Sequence, residues 1–326
     1  MQKITTDNES LKAAIYQRVA GVDSICLLHP MLTAAIDGLS DCITWSVASA
    51  EPRGALLTGI GGAGKTTVCR AILKSFPSVE TKEADLSIKT VPAFYASVPS
   101  PSTIGSLAAS LLVSIGDPLP PRGTAANLTA RLAHLLKICR TQVILLDEFH
   151  NLLAEAVTGQ THAKKVCNWL RSLINETGVM VCLVGDPSCE TLVNHDHQMS
   201  RRFAYRYRLK ELDPGTQERP GDLVGFLTGF SELSLKKIQM TSGVDFSDHH
   251  RVQQVWAATG GNPAFVAMLF KEAASIALLN GGRTAIELDD LGDAFEKGIT
   301  LPAALISGNP FLLQPAVLRS KLKKVR

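Results

Sequence analysis

Eight residues set the strongest limit on what this chain can fold into: Gly59-Ile60-Gly61-Gly62-Ala63-Gly64-Lys65-Thr66, placed directly after the apolar run Ala55 to Thr58 and directly before a segment with helical spacing. G-x-x-x-x-G-K-[ST] between a strand and a helix is a phosphate-binding loop. Its small residues let backbone N–H groups turn inward around phosphates, Lys65 reaches the β and γ oxygens, and the Thr66 hydroxyl takes a place on Mg²⁺. The alternative is a glycine-rich turn with an exposed lysine; the agreement of strand, loop and helix weighs against it. The expected nucleotide ligands are Gly59, Gly61, Gly62, Ala63, Gly64, Lys65, Thr66 and Thr67, and the expected cofactors are ATP and Mg²⁺.

The surrounding pattern extends the loop into a fold. Short apolar runs at Ala55 to Thr58, Ala93 to Ser97, Val143 to Leu146, Val179 to Val184 and Tyr205 to Leu209 alternate with amphipathic segments. In one of these, Ile104, Leu107, Ala108, Leu111, Leu112 and Ile115 keep helical spacing; Leu128, Leu132, Leu135 and Leu136 do so in the next, and Val166, Trp169, Leu170, Leu173 and Ile174 in a third. Parallel strands joined by helical crossovers are the simplest solution, an α/β P-loop core with a parallel sheet flanked by helices. Beyond the break at Asp213-Pro214-Gly215 the spacing is helical throughout, which predicts a helical lid. The chain therefore divides into a helical leader over 1–50, a nucleotide-binding core over 51–213, and a lid with a basic tail over 214–326. The tail, ending Lys321-Leu322-Lys323-Lys324-Val325-Arg326, reads as a frayed, solvated end that could also touch DNA or a partner.

A second constellation supplies the chemistry. Val143 to Leu146 is an apolar strand closed by Asp147 and Glu148, which delivers two carboxylates to the carboxyl edge of the sheet, where such folds bind ligands. Asp147 is placed to hold Mg²⁺ and Glu148 to orient and polarise the attacking water. The strand Val181 to Val184 ends in Gly185-Asp186, and Asp186 either senses the γ-phosphate or simply begins the turn at Pro187. Arg201-Arg202 precedes the strand at Tyr205; either arginine could reach a neighbouring subunit's nucleotide, or form a surface salt bridge. His150 and Asn151 either couple the water site to a partner or cap the next turn, and Trp45, Trp169 and Trp256 read as core residues.

Composition excludes other classes. With 326 residues, 45% hydrophobic and 19% charged, the chain can bury a sizeable core and is neither disordered nor collagen-like. A net charge of +3 is too small to announce a nucleic-acid binder, so any basic surface must be local. The seven cysteines contain no C-x-x-C pair and read as reduced structural thiols rather than metal ligands. No apolar run approaches the ~18 residues of a membrane span, and the polar start lacks a secretory pattern, so a cytoplasmic protein without membrane contact is expected.

In this order, the phosphate loop, the strand with Asp147-Glu148, the polar-ended strand, the arginine pair and the lid resemble an AAA+ ATPase. More narrowly, the chain resembles the TniB/TnsC family of transposon target-selection ATPases, related in role to the phage Mu B protein. The narrower likeness rests on Leu146-Asp147-Glu148-Phe149-His150-Asn151-Leu152-Leu153 and on Ser97-Val98-Pro99-Ser100-Pro101-Ser102-Thr103 before a helix ending in Ile115-Gly116-Asp117-Pro118. Trp169 to Glu176 and Ser200-Arg201-Arg202-Phe203 support it, and it spans roughly residues 29 to 300. The resemblance implies an ATPase that assembles on double-stranded DNA with ATP as a homo-oligomeric ring or helical filament, recruits a transposase, works with a target-selecting protein and disassembles on hydrolysis. It makes Arg202 the first choice of finger and Arg201 the second. It also places DNA contacts in loops that here offer Lys89, Ser102, Thr103 and Arg122. Two departures stand out: Asp186 occupies the polar sensor position where the family usually has Gly-Thr-Pro or similar, and Ala264 stands where related lids often carry arginine. Contacts of a few residues per subunit become strong when many subunits line a duplex, which reconciles DNA binding with the small net charge. Two other readings remain open at this level: an oligomerising switch ATPase in defence or signalling, and a loader for a replicative helicase.

Overall fold

The computed structural model describes residues 2–49, 52–83, 86–119 and 122–325. It separates into two compact units, one comprising 31–210 and the other 1–30 together with 211–326. The stretch 1–50, expected as a single leader, is thus shared between them, and the expected boundary at 50/51 lies outside the described residues. Two helices form there, Gln2–Ala20 and Pro30–Ala48.

The unit 31–210 is built on β1 (Ala55–Gly59), β2 (Val79–Glu83), β3 (Leu86–Thr90), β4 (Ala93–Ser97), β5 (Val143–Asp147), β6 (Met180–Gly185) and β7 (Tyr205–Leu209). Five of these make a parallel sheet in the order β4-β5-β6-β1-β7, so one strand, β6, lies between the strand that enters the phosphate loop and the strand that ends in Asp147. The five runs read from the sequence match these strands to within a residue at either end. The antiparallel hairpin of β2 and β3 is an addition to the five expected strands; the short apolar/polar alternation of Leu86–Thr90 is its one sequence signal.

Side-chain alternation on the sheet explains its continuous apolar runs. Leu56, Ile144, Leu146, Val181 and Leu183 belong to one apolar layer with Leu107, Leu111, Leu132 and Leu170 from the crossover helices. Ala55, Leu57, Val143, Leu145, Cys182 and Val184 belong to the opposite layer with Leu32, Leu39 and Ile43 of the helix Pro30–Ala48, and with Val68 and Ile72 of the helix Lys65–Ser75. A strand covered on both faces needs apolar residues at every position. Trp169 joins the first layer, its indole N–H donating to Thr129 Oγ1 at 2.9 Å. Trp45 departs from the expectation of a core residue: it is 55% exposed, and the Arg53 guanidinium sits 4.5 Å from its ring centroid. That stacking lets the indole stay at the surface with one face covered.

The second unit is helical. Asp222–Lys237, His249–Thr259, Pro263–Leu279, Leu288–Glu296 and Pro315–Leu322 follow one another after Leu212, whose N–H bonds to the Gly261 carbonyl at 2.8 Å. Asn262 caps the helix that begins with Pro263 by accepting the Ala264 N–H at 2.9 Å. The tail is helical as far as Leu322 and not frayed there: Leu318 and Leu322 are buried with Ala257, which gives the helix Pro315–Leu322 an apolar anchor beneath Arg319 and Lys321. No single helix among the described residues is long and apolar enough to cross a membrane.

Candidate nucleotide site

The phosphate loop closes where β1 leaves the sheet. Gly62 and Gly64 have φ of +83° and +101°, a backbone region that disfavours side chains. A Cβ on Gly59 would lie 2.7 Å from the Leu209 carbonyl oxygen, and one on Gly64 would lie 2.8 Å from Leu32 Cδ2, so both glycines are also required by packing. Gly61 meets neither condition, and a Cβ there would enter open space. The helix Lys65–Ser75 starts without a side-chain cap, which leaves its first N–H groups directed at the loop. Lys65 Nζ donates to the carbonyls of Gly59 at 2.6 Å and Ile60 at 3.0 Å, folding its charge over the same loop. An uncapped helix start under two left-handed glycines and an ammonium suits an anion of phosphate type. Ala63 is buried, while Thr66 is exposed and Thr67 half-buried on the first turn of the helix.

Asp147 is 4% exposed at the end of β5. Its Oδ1 accepts the Glu148 N–H at 2.7 Å and its Oδ2 accepts the Tyr95 hydroxyl at 2.5 Å. Burial, reinforced by that bond to Asp147, pushes the Tyr95 phenol up to about 12, so Tyr95 remains a donor. Glu148 adopts φ +56° and turns out of the sheet; its Oε2 lies 3.0 Å from His150 Nε2. Asp186 follows β6, and its Oδ1 takes both the N–H of Ser188 at 2.8 Å and the Ser188 hydroxyl. Although burial works against it, the Ser188 bonds and the charges of His150 and Lys65 keep this carboxyl below its ordinary value. The turn role and the position beside Lys65 therefore coexist in one residue.

The arginines stand at the other end of the sheet. Gly54 N–H donates to the Arg202 carbonyl at 2.9 Å, beside the start of β1. The Arg202 guanidinium is occupied within the subunit, donating to the Pro52 carbonyl at 2.8 Å and to Asn175 Oδ1. Arg201 is exposed, and both arginines border an open cleft of about 1460 Å³ together with Arg53 and Arg171.

The four expected DNA contacts do not converge on one element. Lys89 is exposed on β3 opposite Glu80, and Arg122 is exposed ahead of the helix Ala125–Ile138. Thr103 caps the helix Ile104–Ile115 in a reciprocal pair with Ser106. Ser102 is fully buried, which removes it from contact with a duplex; the sequence missed this because serine in a Pro-rich loop reads as solvated.

An ion-pair group beside the site was also missed. Glu190 takes a fork from Arg208, Nε to Oε1 and Nη2 to Oε2 both at 2.6 Å, and the Thr58 hydroxyl at 3.1 Å. The bonds from Arg208 hold this carboxyl below its ordinary value. Thr58 is the penultimate residue of β1, so the group braces the strand that feeds the loop. The only sequence signal was the alternation Arg206-x-Arg208 on β7, where every second residue faces the same way.

Comparison with known proteins adds to this geometry. A family model described as bacterial TniB protein matches residues 23–211. Solved structures with the same fold include the Aeropyrum pernix ORC2 protein in ADPNP and ADP complexes, at 15% identity over 85% of this chain and 71% of that one, TM-score 0.60. The Aeropyrum pernix ORC1 protein in complex with DNA matches at 16% identity over 86% and 69%, TM-score 0.59. Cdc6p from Pyrobaculum aerophilum matches at 18% identity over 85% and 70%, TM-score 0.57. No curated protein matches the chain. These likenesses establish the fold as the α/β P-loop AAA+ fold followed by a helical lid.

Proposed function

This chain belongs to the bacterial TniB family, and we propose that it is an ATP-dependent regulator of DNA transposition. With ATP it assembles on double-stranded target DNA as a ring or helical filament, recruits the transposase, cooperates with a target-selecting protein, and disassembles on hydrolysis. The observation that carries this reading is the pairing, at one edge of a parallel sheet, of an uncapped helix start under left-handed glycines with the Asp147-Glu148 strand end.

In this reading Gly59, Gly61, Gly62, Ala63 and Gly64 wrap the phosphates with backbone N–H groups, while Lys65 leaves its loop carbonyls for the β and γ oxygens. Thr66 and Asp147 would hold Mg²⁺, which when bound neutralises charge on those oxygens. Thr67 adds a hydroxyl in the same helical turn. Glu148 orients a water in line with the γ-phosphorus and accepts its proton as the P–O bond to ADP breaks. Tyr95 fixes the Asp147 carboxylate from the neighbouring strand. Asp186 stands at the sensor position beside Lys65, where its negative charge opposes a phosphate and slows turnover relative to a neutral residue. The arginine pair serves the neighbouring subunit, and Lys89, Thr103 and Arg122 remain as exposed DNA-facing groups.

Two variants test the reading. Lys65→Ala abolishes nucleotide binding and DNA retention, whereas Glu148→Gln keeps both and traps the assembly on DNA with ATP. Equal DNA retention by the two variants in ATP would overturn it.

A further inference from the structure

His150, Asp186 and Cys189 bring an imidazole nitrogen, a carboxylate oxygen and a thiol sulfur within 4.8 Å of one another. They come from two segments: His150 follows the β5 acids, and Asp186 and Cys189 follow β6 with Cys189 inside the helix Ser188–Asn194. A tetrahedral Zn²⁺ with N, O and S ligands holds such atoms about 3.4–3.6 Å apart, so contraction by about 1 Å closes the site. We propose that these three side chains form a binding site for a thiophilic divalent cation of the Zn²⁺ class, distinct from the Mg²⁺ position at Thr66 and Asp147.

Three features support it. His150 Nδ1 is buried and has no hydrogen-bond partner among the described residues, while Nε2 meets Glu148 Oε2 at 3.0 Å. A carboxylate on one imidazole nitrogen fixes the tautomer and leaves the lone pair of the other for a metal, the usual outer-shell arrangement around metal-bound histidine. Ser188 engages only Oδ1 of Asp186, so Oδ2 accepts no hydrogen bond among the described residues. Gly185 makes the approach possible: a Cβ there would lie 2.5 Å from Cys189 Sγ and 3.3 Å from His150 Nδ1, inside the space where the two ligands converge.

Chemistry selects the ion. Thiol, imidazole and carboxylate together suit Zn²⁺ and its stand-in Co²⁺, whereas Mg²⁺ prefers oxygen alone. Three protein ligands leave a fourth position open, as at non-structural zinc sites. On binding, the Cys189 S–H bond breaks, its electron pair forms the sulfur–metal bond, and the proton leaves to solvent with no change of oxidation state. Cys189 is fully buried, but His150 and Asp186 are partly exposed and provide the entry side. Burial and the neighbouring Asp186 charge push the Cys189 thiol up to about 12 against the opposing charge of Lys65, so the thiol stays protonated until a cation displaces its proton.

The consequence for turnover rests on the hydrolytic role proposed for Glu148. A metal on Nδ1 locks the His150 Nε2–H onto Glu148 Oε2 and diverts that carboxylate from its water. The occupied site therefore slows hydrolysis and prolongs the ATP-bound assembly.

The test uses the full chain, stripped with a chelator and then given Zn²⁺ or Co²⁺. After gel filtration it should retain about one zinc per chain, and with Co²⁺ it should show a thiolate-to-cobalt charge-transfer band. Cys189→Ala should lose the band and weaken zinc binding by at least about 100-fold. His150→Gln, at a partly exposed position, should weaken zinc binding as well and tests the site even if the buried cysteine variant folds poorly. Absence of retained zinc in the parent chain, or equal retention by His150→Gln, would overturn the site. Both readouts are independent of ATP turnover, so a parent chain that binds zinc without hydrolysing ATP would refute the role of Glu148 and leave the metal site standing.

Discussion

The Gly54 amide donates to the Arg202 carbonyl at 2.9 Å, which fixes the arginine pair at the amino end of β1 while Gly59 closes the other end. The span from Gly54 to Gly59 is roughly 16 Å at the rise of an extended strand. Neither guanidinium reaches its own phosphate loop across that distance, so a catalytic role for the pair requires a second subunit.

The first prediction separates the two arginines. Arg202 is engaged by Pro52 and Asn175, whereas Arg201 is exposed at the cleft. Arg201→Ala should keep nucleotide binding by the monomer and reduce ATP turnover by about 10³-fold, the lower end for loss of a finger. Arg202→Ala should also lower the thermal midpoint, because it removes an internal brace. Mixing Arg201→Ala with Lys65→Ala should restore part of the activity, since one supplies an intact loop and the other an intact finger. Full turnover by Arg201→Ala alone would assign the finger elsewhere.

A second prediction concerns the loop backbone. Gly64→Ala places a Cβ at φ +101° and 2.8 Å from Leu32 Cδ2, and should cost about 1–3 kcal/mol in urea unfolding while abolishing binding of a fluorescent nucleotide. Gly61→Ala enters open space and should leave unfolding nearly unchanged. Equal destabilisation by the two would contradict the loop geometry.

Arg208→Met tests the brace at Glu190. The folded-state carboxyl lies below its ordinary 4.5, so its contribution is fully present above that value and is lost as pH falls through the folded value. The parent chain should exceed Arg208→Met in stability at about pH 7, and the gap should shrink as pH falls below 4.5 through the folded value. A gap that widened on acidification would reverse the assignment.

Much of this site was legible because its parts are local in sequence. The loop, the Asp147-Glu148 strand end and the five sheet strands each carry a continuous signal, and strands buried on both faces announce themselves as apolar runs. What escaped depends on contacts between distant segments. Tyr95 on Asp147 and Glu190 on Arg208 join elements 52 and 18 residues apart, and nothing in either segment alone marks the pairing. Ser102 and Trp45 exchange their expected places for the same reason: burial is decided by what packs above a residue, and the stacking of Arg53 on Trp45 has no periodicity to read. The division at 30/31 was hidden because it falls at the first turn of the helix Pro30–Ala48, where no break in the sequence marks it.

Thiol reactivity provides a further check. Burial pushes Cys69 and Cys167 up to about 12, whereas Cys26 is exposed. A maleimide should label Cys26 first in the native chain and reach Cys69 and Cys167 only on unfolding. Early labelling of Cys69 would mean that the helix behind the phosphate loop opens in the native state.

The central claim is assembly that requires ATP and duplex together. It is tested most directly by negative-stain imaging of the purified chain with a slowly hydrolysed ATP analogue, with and without double-stranded DNA, at low and moderate salt. Rings or filaments should form only when both ligands are present, and should thin out as salt rises. Assembly with the analogue alone, unchanged by DNA, would contradict the account and favour a nucleotide switch that acts through a protein partner.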